Sequence, residues 1–532
     1  MISAQLAIGL YTGLILWFFV RDRTLRPMTS GALWLPLLWL AIVGTRPVSF
    51  WWTTGARPDR VEVYLDGSPV DAAIYIVLIA LGSIVLLRRR LDWRQLVGSN
   101  PWVAAFFGYC LLGILWSDFA FVSFKRCVKD LGNVVMILVI LSEADPTAAT
   151  RAMLARYTYV AIPLSVLFIK YVPNLGRYYD PWTWQPMYRG VGGEKNALGV
   201  TVTICGLFLV WEIIDAWGRK RAARPAPVAA GKLMRARVVT RRRAVPDAAL
   251  PPSGGAAHLA HRPAWAIGTG PPFPWWDAAG RLLLLVMCVW LMGKADSSNA
   301  LVCLWLGIAA AFMAQWSASG AQRFLRHLGS YALLIAAAVL FVYAVPGVLD
   351  TFLRALGEDP TLTGRVELWT DLLAIPNNML VGSGYQSFWL GSGIDALWAK
   401  YYFKPNQAHN GYLDTYLNGG IIGIVLLGAL ILAGAAKLKR QLLQRVDGSV
   451  LQFAFFVIVV FYNWSEAMFN HLTPVWFVML LAVIEYQHGG ARLPVPARRA
   501  QVAASGPTGP RVTAGRATAS GTAALKRSSN LR

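Results

Sequence analysis

The sequence predicts an all-α, polytopic integral membrane protein of about 12–13 transmembrane helices, with a large external loop of amphipathic helices. Its 532 residues are 56% hydrophobic and only 14% charged, whereas soluble proteins carry about 25% charged residues. The apolar residues are clustered into long runs, and the loops between these runs alternate between basic and less basic. These three observations exclude a disordered chain, a disulfide scaffold and an ordinary soluble enzyme.

Thirteen apolar runs are candidates to cross a bilayer, and several of them are shorter than the roughly 20 residues that a spanning helix needs. They lie near residues 3–20, 31–45, 72–87, 101–116, 131–142, 152–171, 196–214, 281–293, 299–316, 329–346, 419–436, 450–467 and 474–486. The first run lacks the basic start and the small-residue cleavage site of a signal peptide. Residues 1–30 are therefore predicted to be an N-terminal membrane anchor.

The distribution of basic residues predicts the orientation of these runs. If every run crosses the membrane, five strongly basic regions fall on one side, which the positive-inside rule assigns to the cytoplasm. These regions are 21–26, 88–94, 219–262, 437–445 and 487–532.

Two of the basic regions are rich in Ala, Pro, Gly and Arg, namely the loop 219–275 and the tail 487–532. This composition predicts disorder. Binding to anionic lipid or nucleic acid is one interpretation of their charge. We favour a solvated determinant of topology and expect no nucleic-acid partner. The five cysteines lack the spacing of a metal site or a disulfide framework.

Polar chemistry concentrates in the segments predicted to face the opposite side. The longest, 347–418, mixes aromatic residues with scattered charges, so it is expected to fold as amphipathic helices on the membrane surface. Two shorter predicted loops, 117–130 and 172–195, are basic although the charge rule disfavours basic residues there. Their cations are Lys125, Arg126, Lys129, Arg177, Arg189 and Lys195. A bound anion would explain them.

Short motifs occur in order within these external segments. Arg189-Gly190 and Glu194-Lys195-Asn196 open the seventh run, and Thr-Gly-Arg at 363–365 is followed by Glu367 and Trp369. Gly-Ser-Gly-Tyr at 382–385 and Gln-Ala-His-Asn-Gly-Tyr-Leu at 407–413 come next. In this order and position, the set resembles the O-antigen ligase and polysaccharide polymerase family. The resemblance covers a membrane core of about residues 31–486.

The resemblance implies a glycosyltransferase at the periplasmic face of the bacterial inner membrane. Such enzymes transfer a glycan from undecaprenyl diphosphate to an acceptor hydroxyl, without a metal or another cofactor. The acceptor is lipid A-core for a ligase and another glycan for a polymerase, and the sequence leaves this choice open. Membrane lipids and the lipid-linked glycan are the implied partners.

The chemistry of this reaction assigns roles to the residues that match the family. Arg365 and Arg189 match its arginines, and a guanidinium suits the departing diphosphate because it binds phosphate oxygens through two N–H groups. His409 matches its histidine and is the candidate general base. The predicted substrate-binding residues are Lys195, Asn196, Asn410, Glu367, Tyr412, Lys125 and Arg126.

Three nearby residues need separate treatment. Glu194 departs from the histidine that many relatives have at this point, so no role is carried over to it. Glu466 is an acid near the outer end of the twelfth run, where acids are costly, and it is expected to orient His409 or to pair with an arginine. His471 is the rival base, although an interfacial position is the simpler interpretation.

Two other classes of protein compete with this interpretation. A transporter or flippase of lipid-linked glycans would also need many helices and cations, but it predicts charges at the bilayer midplane and matching halves. A non-catalytic scaffold would leave the motifs of residues 363–413 without an explanation.

Overall fold

The computed structural model of the chain describes residues 3–25, 29–51, 67–179, 184–222, 275–317, 365–401 and 404–486. All of them lie in one compact unit, Met1–Tyr486. Most of the basic loop 219–275, the tenth apolar run at 329–346 and the tail 487–532 lie outside the described residues.

The described residues are almost entirely helical. The first half of the chain contains α1 (Ala4–Leu25), α2 (Trp34–Val43), α3 (Pro69–Arg89), α4 (Trp93–Ser99), α5 (Pro101–Leu112), α6 (Ala120–Leu141), α7 (Pro146–Tyr171) and α8 (Pro173–Gly176). The second half contains α9 (Lys195–Ala222), α10 (Trp275–Ala295), α11 (Ser298–Ser317), α12 (Arg365–Ala374), α13 (Gly393–Lys400), α14 (Gly411–Leu443), α15 (Ser449–Tyr462) and α16 (Pro474–Val483). A small antiparallel hairpin of β1 (Arg177–Tyr179) and β2 (Pro186–Tyr188) lies between the halves.

The predicted fold class is confirmed. Seven of the described helices are long and apolar enough to cross a membrane, and four shorter apolar helices accompany them. Every predicted apolar run that falls within the described residues contains a helix. Large apolar side chains lie on the outside of these helices, as at Val425 and Leu432 of α14, which are 61% and 72% exposed. Such a surface requires lipid around it, and the protein is a multi-pass membrane protein.

The predicted external loop 117–130 is wrong from Ala120 onward. Residues from Ala120 onward belong to α6, which continues without a break to Leu141. The loop was predicted from the charges of this segment. Residues 120–131 contain no Gly or Pro, and Lys and Arg are good helix formers, so nothing in the segment interrupts a helix.

The predicted loop 347–418 also ends earlier than expected, because α14 begins at Gly411. Asn410 caps this helix, since its side-chain oxygen accepts hydrogen bonds from the backbone N–H groups of Tyr412 and Leu413. The helix breaks at Gly420, where φ is +61°. A Cβ atom there would lie 2.3 Å from the carbonyl carbon of Leu380. The break is therefore built around a glycine.

Two apolar cores hold the described residues together. The larger one joins the helices of the membrane region and includes fully buried Trp39, Tyr157, Phe208, Phe455 and Trp476. The smaller one lies within residues 368–417 and consists of Leu368, Leu372, Phe388, Trp389, Ile394, Leu397, Tyr401, Ala408 and Leu417. The segment predicted to be external thus has a packed core of its own, formed in part by the amphipathic helices α12 and α13.

Candidate functional site

The candidate site is centred on the carboxylate of Glu466. This residue follows α15 in the turn that leads to α16, and its side chain is only 4% exposed. Asn463 shapes the turn, because its side-chain oxygen accepts hydrogen bonds from the N–H groups of Met468 and Phe469 at 2.8 and 2.9 Å. A buried carboxylate is costly unless polar or cationic groups surround it, and Glu466 has three hydrogen-bond partners and one ion-pair partner.

The four partners of Glu466 come from three separate parts of the chain. The Asn196 side-chain amide donates to Glu466 Oε1 at 3.1 Å, and Arg365 Nη2 lies 3.9 Å from the same oxygen. His409 Nδ1 lies 3.1 Å from Glu466 Oε2, and the Gln407 amide donates to that oxygen at 3.4 Å. The structure therefore brings together three residues that the sequence selected, Arg365, Asn196 and His409. Glu466 both orients the histidine and pairs with an arginine, as expected.

The backbone holds His409 in a fixed position. Its φ of +48° lies in the left-handed region, which costs a non-glycine residue about 1–3 kcal/mol and persists only where the surroundings enforce it. The Gly411 N–H donates to the Asn463 carbonyl at 2.8 Å. A Cβ atom at Gly411 would lie 2.1 Å from Asn463 Oδ1. This close approach presses the 409–411 segment against the turn that carries Glu466.

The ring nitrogens of His409 have different surroundings. With Nδ1–H donating to Glu466, the neutral imidazole carries its lone pair on Nε2. The His409 side chain is 26% exposed. Such an arrangement can accept a proton at Nε2 from a hydroxyl and stabilise the resulting cation through the carboxylate.

Arg189 belongs to a second basic group on the neighbouring hairpin loop. Its guanidinium donates to the carbonyls of Leu175 and Asn174, both at 3.2 Å. Buried Arg46 donates to the carbonyls of Leu175, Gly190 and Gly192 and so holds the same loop. Burial, followed by repulsion from Arg189, lowers the pKa of Arg46 to about 10. Arg46 therefore stays charged at neutral pH.

The remaining predicted residues on this side contact other groups. Lys195 Nζ lies 3.7 Å from the carboxylate of Asp296. Glu367 pairs with Lys400 at 2.9 Å. Lys400 also donates to Asp371, and this contact, with one from Tyr401, lowers the pKa of Asp371. Glu367 and Lys400 thus join α12 to α13.

Three predicted residues also contribute to the architecture. Asn410 caps α14, and the Tyr412 hydroxyl donates to the Val460 carbonyl at 2.8 Å. Arg126 Nη1 donates to the Gln386 carbonyl at 2.6 Å and so joins α6 to the external segment. Lys125 Nζ lies 5.1 Å from the ring centre of Phe121.

A second histidine–carboxylate pair lies on the same two segments. His471 Nε2 is 3.4 Å from Asp414 Oδ2, and the Trp389 indole N–H donates to Asp414 Oδ1 at 2.8 Å. His409 and Asp414 lie on one segment, and their partners Glu466 and His471 lie on the other. The two pairs therefore tie the start of α14 to the turn before α16.

Sequence reasoning missed Asp414, Gln407 and Arg46. Gln407 is the first residue of the motif that contains His409, and Asp414 directly follows that motif, so their positions were a usable signal. Arg46 follows the second apolar run on the predicted external side, where the charge rule already marks a basic residue as unusual. Among the described residues, no group of three His, Cys, Asp or Glu side chains could hold a metal ion.

Comparisons with known proteins show what the chain is similar to. A family model described as O-antigen ligase matches residues 282–428. The exopolysaccharide production protein ExoQ of Rhizobium meliloti (strain 1021) is 25% identical over 366 residues, which cover 67% of this chain and 70% of that protein. These matches confirm the resemblance of the chain to the O-antigen ligase and polymerase family.

Proposed function

We propose that the protein transfers a glycan from undecaprenyl diphosphate to an acceptor hydroxyl at the periplasmic face of the bacterial inner membrane. The transfer inverts the anomeric carbon and uses no metal or other cofactor. His409 is the general base, and Arg365 and Arg189 bind the diphosphate.

The observation that carries this proposal is the convergence on Glu466. A histidine, an arginine and an asparagine from distant parts of the chain meet at one buried carboxylate. They meet where α9 and α14 begin and α15 has just ended. Polar groups at helix ends suit an enzyme that works at the membrane surface. A transporter was expected to place its charges at the midplane instead.

The proposed step is a single displacement. The acceptor oxygen attacks the anomeric carbon as its proton passes to Nε2 of His409. The bond from that carbon to the diphosphate oxygen breaks, and its electron pair leaves with the diphosphate. Arg365 and Arg189 stabilise the charge that develops there, while Glu466 stabilises the imidazolium. Attack from the face opposite the leaving group inverts the anomeric centre.

The acceptor is proposed to be a growing or newly made exopolysaccharide repeat. The name of the ExoQ relative refers to exopolysaccharide production, which favours a polymerase over a ligase for lipid A-core. The glycan is proposed to lie against Lys195, Asn196 and Asn410. Lys195 and Asn196 come a few positions after Arg189 in the sequence, and Asn410 directly follows His409.

Substitution of the two arginines tests the proposal. Arg365→Ala and Arg189→Ala should each lower transfer by about 10²–10³, the usual cost of removing a donor to a developing anion. Lysine should restore little activity at either position, because an ammonium lacks the two-pronged guanidinium geometry. The assay uses purified protein in proteoliposomes with a lipid-linked donor.

Arg440→Ala is the matched control, since Arg440 is an exposed arginine on the predicted cytoplasmic side that pairs with Glu485. It should transfer at the wild-type rate. Near-wild-type transfer by Arg365→Ala would remove the leaving-group role and with it the proposed mechanism.

A further inference from the structure

The Gly-Ser-Gly-Tyr motif of residues 382–385 borders a cleft that the proposed transfer step does not use. The motif packs between the end of α5 and the break in α14, and both of its glycines have a positive φ. A Cβ atom at Gly382 would lie 2.4 Å from the carbonyl carbon of Asn418, and one at Gly384 would lie 2.7 Å from the carbonyl oxygen of Gly113. Only glycine permits such approaches, so the motif closes one wall of the cleft with its backbone.

The cleft has a mixed aromatic and polar lining and a narrow interior. Its lining includes Tyr109 and Trp116 from α5 and the turn after it, Tyr385 from the motif, and Asn470 from the turn before α16. The interior has room for only about two water molecules. A single functional group such as a hydroxyl therefore fits inside, while the rest of a ligand lies across the mouth.

Asn470 brings to this cleft a buried acceptor that has no partner among the described residues. Its side-chain oxygen Oδ1 is buried and takes part in no hydrogen bond. Leaving such an oxygen without a donor is costly, and native proteins seldom do so. The polar neighbours are already engaged, since Asn418 Oδ1 accepts from the Phe388 N–H and the Thr415 hydroxyl donates to the Gly411 carbonyl. The oxygen of Asn470 is thus placed for a donor that a ligand supplies.

The backbone beside this acceptor is held in a rare conformation. Asn470 and Gln386 have φ angles of +59° and +47°. The Gln386 side-chain amide donates to the Asn470 carbonyl, and it also donates to the Tyr385 hydroxyl at 3.3 Å. Non-glycine residues in the left-handed region are concentrated at ligand-binding and active sites, because the surroundings must enforce the strain. Two such residues in contact mark this side of the cleft as a built site.

The two aromatic residues nearest α14 already use their polar atoms. The Tyr109 hydroxyl donates to the Gly419 carbonyl at 2.7 Å, and the Trp116 indole N–H donates to the Val381 carbonyl at 3.2 Å. Both side chains are partly buried, and their ring centres lie 5.7 Å apart. The rings, rather than the polar atoms, therefore remain to contact a ligand. Aromatic walls with a few placed polar groups are the usual composition of small-molecule sites.

This combination favours a sugar over a lipid chain. A pyranose ring has an apolar C–H face that packs on an aromatic ring, and it has hydroxyl or acetamido groups that donate hydrogen bonds. An acyl chain would match the rings alone, as an aromatic belt at the membrane interface does, but it has no donor for Asn470. The cleft also adjoins the candidate site, because Asn470 shares its turn with Glu466 and Thr415 directly follows Asp414.

We propose that this cleft is a subsite for one sugar ring of a substrate glycan. A ring hydroxyl or acetamido N–H donates to Asn470 Oδ1, and the C–H face of the ring rests on Trp116. The inference rests on the proposed function and deepens it, because it assigns sugar recognition to residues outside the Glu466 group. The ring belongs either to the donor glycan or to the acceptor glycan, and the transfer assay below separates the two.

The direct test is saturation-transfer NMR on the full-length protein in phosphatidylcholine nanodiscs, which contain no sugar. The probes are the methyl β-glycosides of glucose, galactose and N-acetylglucosamine. The wild type should transfer saturation to the ring protons of at least one of them. Trp116→Leu should weaken this binding about five- to tenfold relative to Trp116→Phe. Both variants lose the hydrogen bond to Val381, so their difference reports the aromatic ring alone.

Trp102→Leu is the matched control, since Trp102 is an exposed tryptophan of α5 outside the cleft. It should bind the glycosides as the wild type does. Equal binding by Trp116→Leu and Trp116→Phe, or no saturation transfer to any of the three glycosides, would overturn the proposal.

A second pair of variants tests the polar contact. Asn470→Gly removes the acceptor oxygen, keeps the left-handed backbone accessible, and should weaken glycoside binding by about tenfold. Asn470→Asp keeps an acceptor oxygen and should bind within about twofold of the wild type. Wild-type binding by Asn470→Gly would contradict the assignment of this oxygen to the sugar.

The transfer assay identifies the substrate that supplies the ring. With a donor whose own acceptor hydroxyl is blocked, Trp116→Leu should raise one KM about fivefold relative to Trp116→Phe and change turnover less. A rise for the donor alone assigns the cleft to the donor glycan, and a rise for the acceptor alone assigns it to the acceptor glycan. An unchanged KM for both substrates would overturn the proposal.

The binding readout is independent of catalysis. If the wild type binds glycosides as expected but transfers no glycan, the proposed function fails while the subsite stands. If the wild type transfers glycan but the two Trp116 variants bind alike, the subsite fails while the proposed function stands. If Trp116→Leu melts below Trp116→Phe, the comparison of Asn470→Gly with Asn470→Asp decides instead.

Discussion

His409 is held ready for proton transfer by contacts on both its ring and its backbone. The Glu466 carboxylate contacts Nδ1 of the His409 ring, and the close approach of Gly411 to Asn463 holds the backbone of residues 409–411 in place. A carboxylate at one ring nitrogen sets the tautomer and stabilises the imidazolium that forms when the other nitrogen takes a proton. The buried acid thus serves the base, and the asparagine and glutamine amides satisfy its remaining acceptor positions.

The pH dependence of transfer tests this role. The base must be neutral to accept a proton, so wild-type activity should rise as the pH is raised from acidic values. His409→Gln can still donate a hydrogen bond to Glu466 but cannot accept the proton. It should lower turnover by about 10²–10⁴ and abolish the pH dependence, with little change in donor binding.

His471→Ala is the comparison variant, and it should remain active because His471 pairs with Asp414 rather than with the Glu466 group. An active His409→Gln enzyme with the wild-type pH profile would leave His409 with a positioning role only. If the His471→Ala enzyme is inactive but binds the donor normally, His471, which pairs with Asp414, would be the general base instead of His409.

At the scale of helices, the sequence predicts where most elements lie but not how they meet. Apolar runs in the sequence predict α1, α7 and α9, because a helix that crosses lipid is recognised by its length and hydrophobicity alone. The start of α6 was missed because its charges suggested a loop. Charges do not stop a helix when its cationic side chains reach an interface or an anion.

The sequence predicted only part of the pairing of the site residues. The family resemblance, with residue type and the charge rule, selected Arg365, Asn196 and His409 one at a time, and Glu466 was expected to orient His409 or to pair with an arginine. Asn196 and Glu466 are separated by 270 positions, and their contact depends on how α9 packs beside α15. That one carboxylate joins all three residues, and that His471 pairs with Asp414, follow only from tertiary packing.

The break in α14 is a helix-scale feature with a direct test. Gly420→Ala would force a Cβ atom into the backbone at Leu380 at a positive φ, where alanine is strained by more than about 1 kcal/mol. It should lower the melting temperature in detergent and disable transfer, because the break positions the start of α14 and with it His409.

Gly428→Ala is the control in the same helix, since nothing lies within 4 Å of a Cβ atom there. It should melt at or slightly above the wild-type temperature, because alanine favours a helix over glycine. Equal melting and activity for the two alanine variants would show that the glycine at 420 is not required.

At the scale of the whole molecule, the account depends on which side of the membrane the Glu466 group faces. The charge rule predicts that the Glu466 group faces the periplasm and that the basic loop 219–275 faces the cytoplasm. Cysteine labelling of intact cells with an impermeant reagent checks this, with little background because all five native cysteines are buried. Asp395→Cys and Glu358→Cys should be labelled, and Thr240→Cys only after the membrane is opened. Labelling of Thr240→Cys in intact cells would contradict the topology.

The central claim is that the purified protein alone performs one inverting, metal-independent transfer from a lipid diphosphate. The most direct measurement combines the wild type in proteoliposomes with a lipid-linked donor of known anomeric configuration, a suitable acceptor and excess chelator. The linkage in the product is then determined by NMR. The account predicts an elongated glycan with the opposite anomeric configuration, formed at the same rate with and without chelator. A product that retains the donor configuration, or a reaction that stops when the chelator is added, would contradict it.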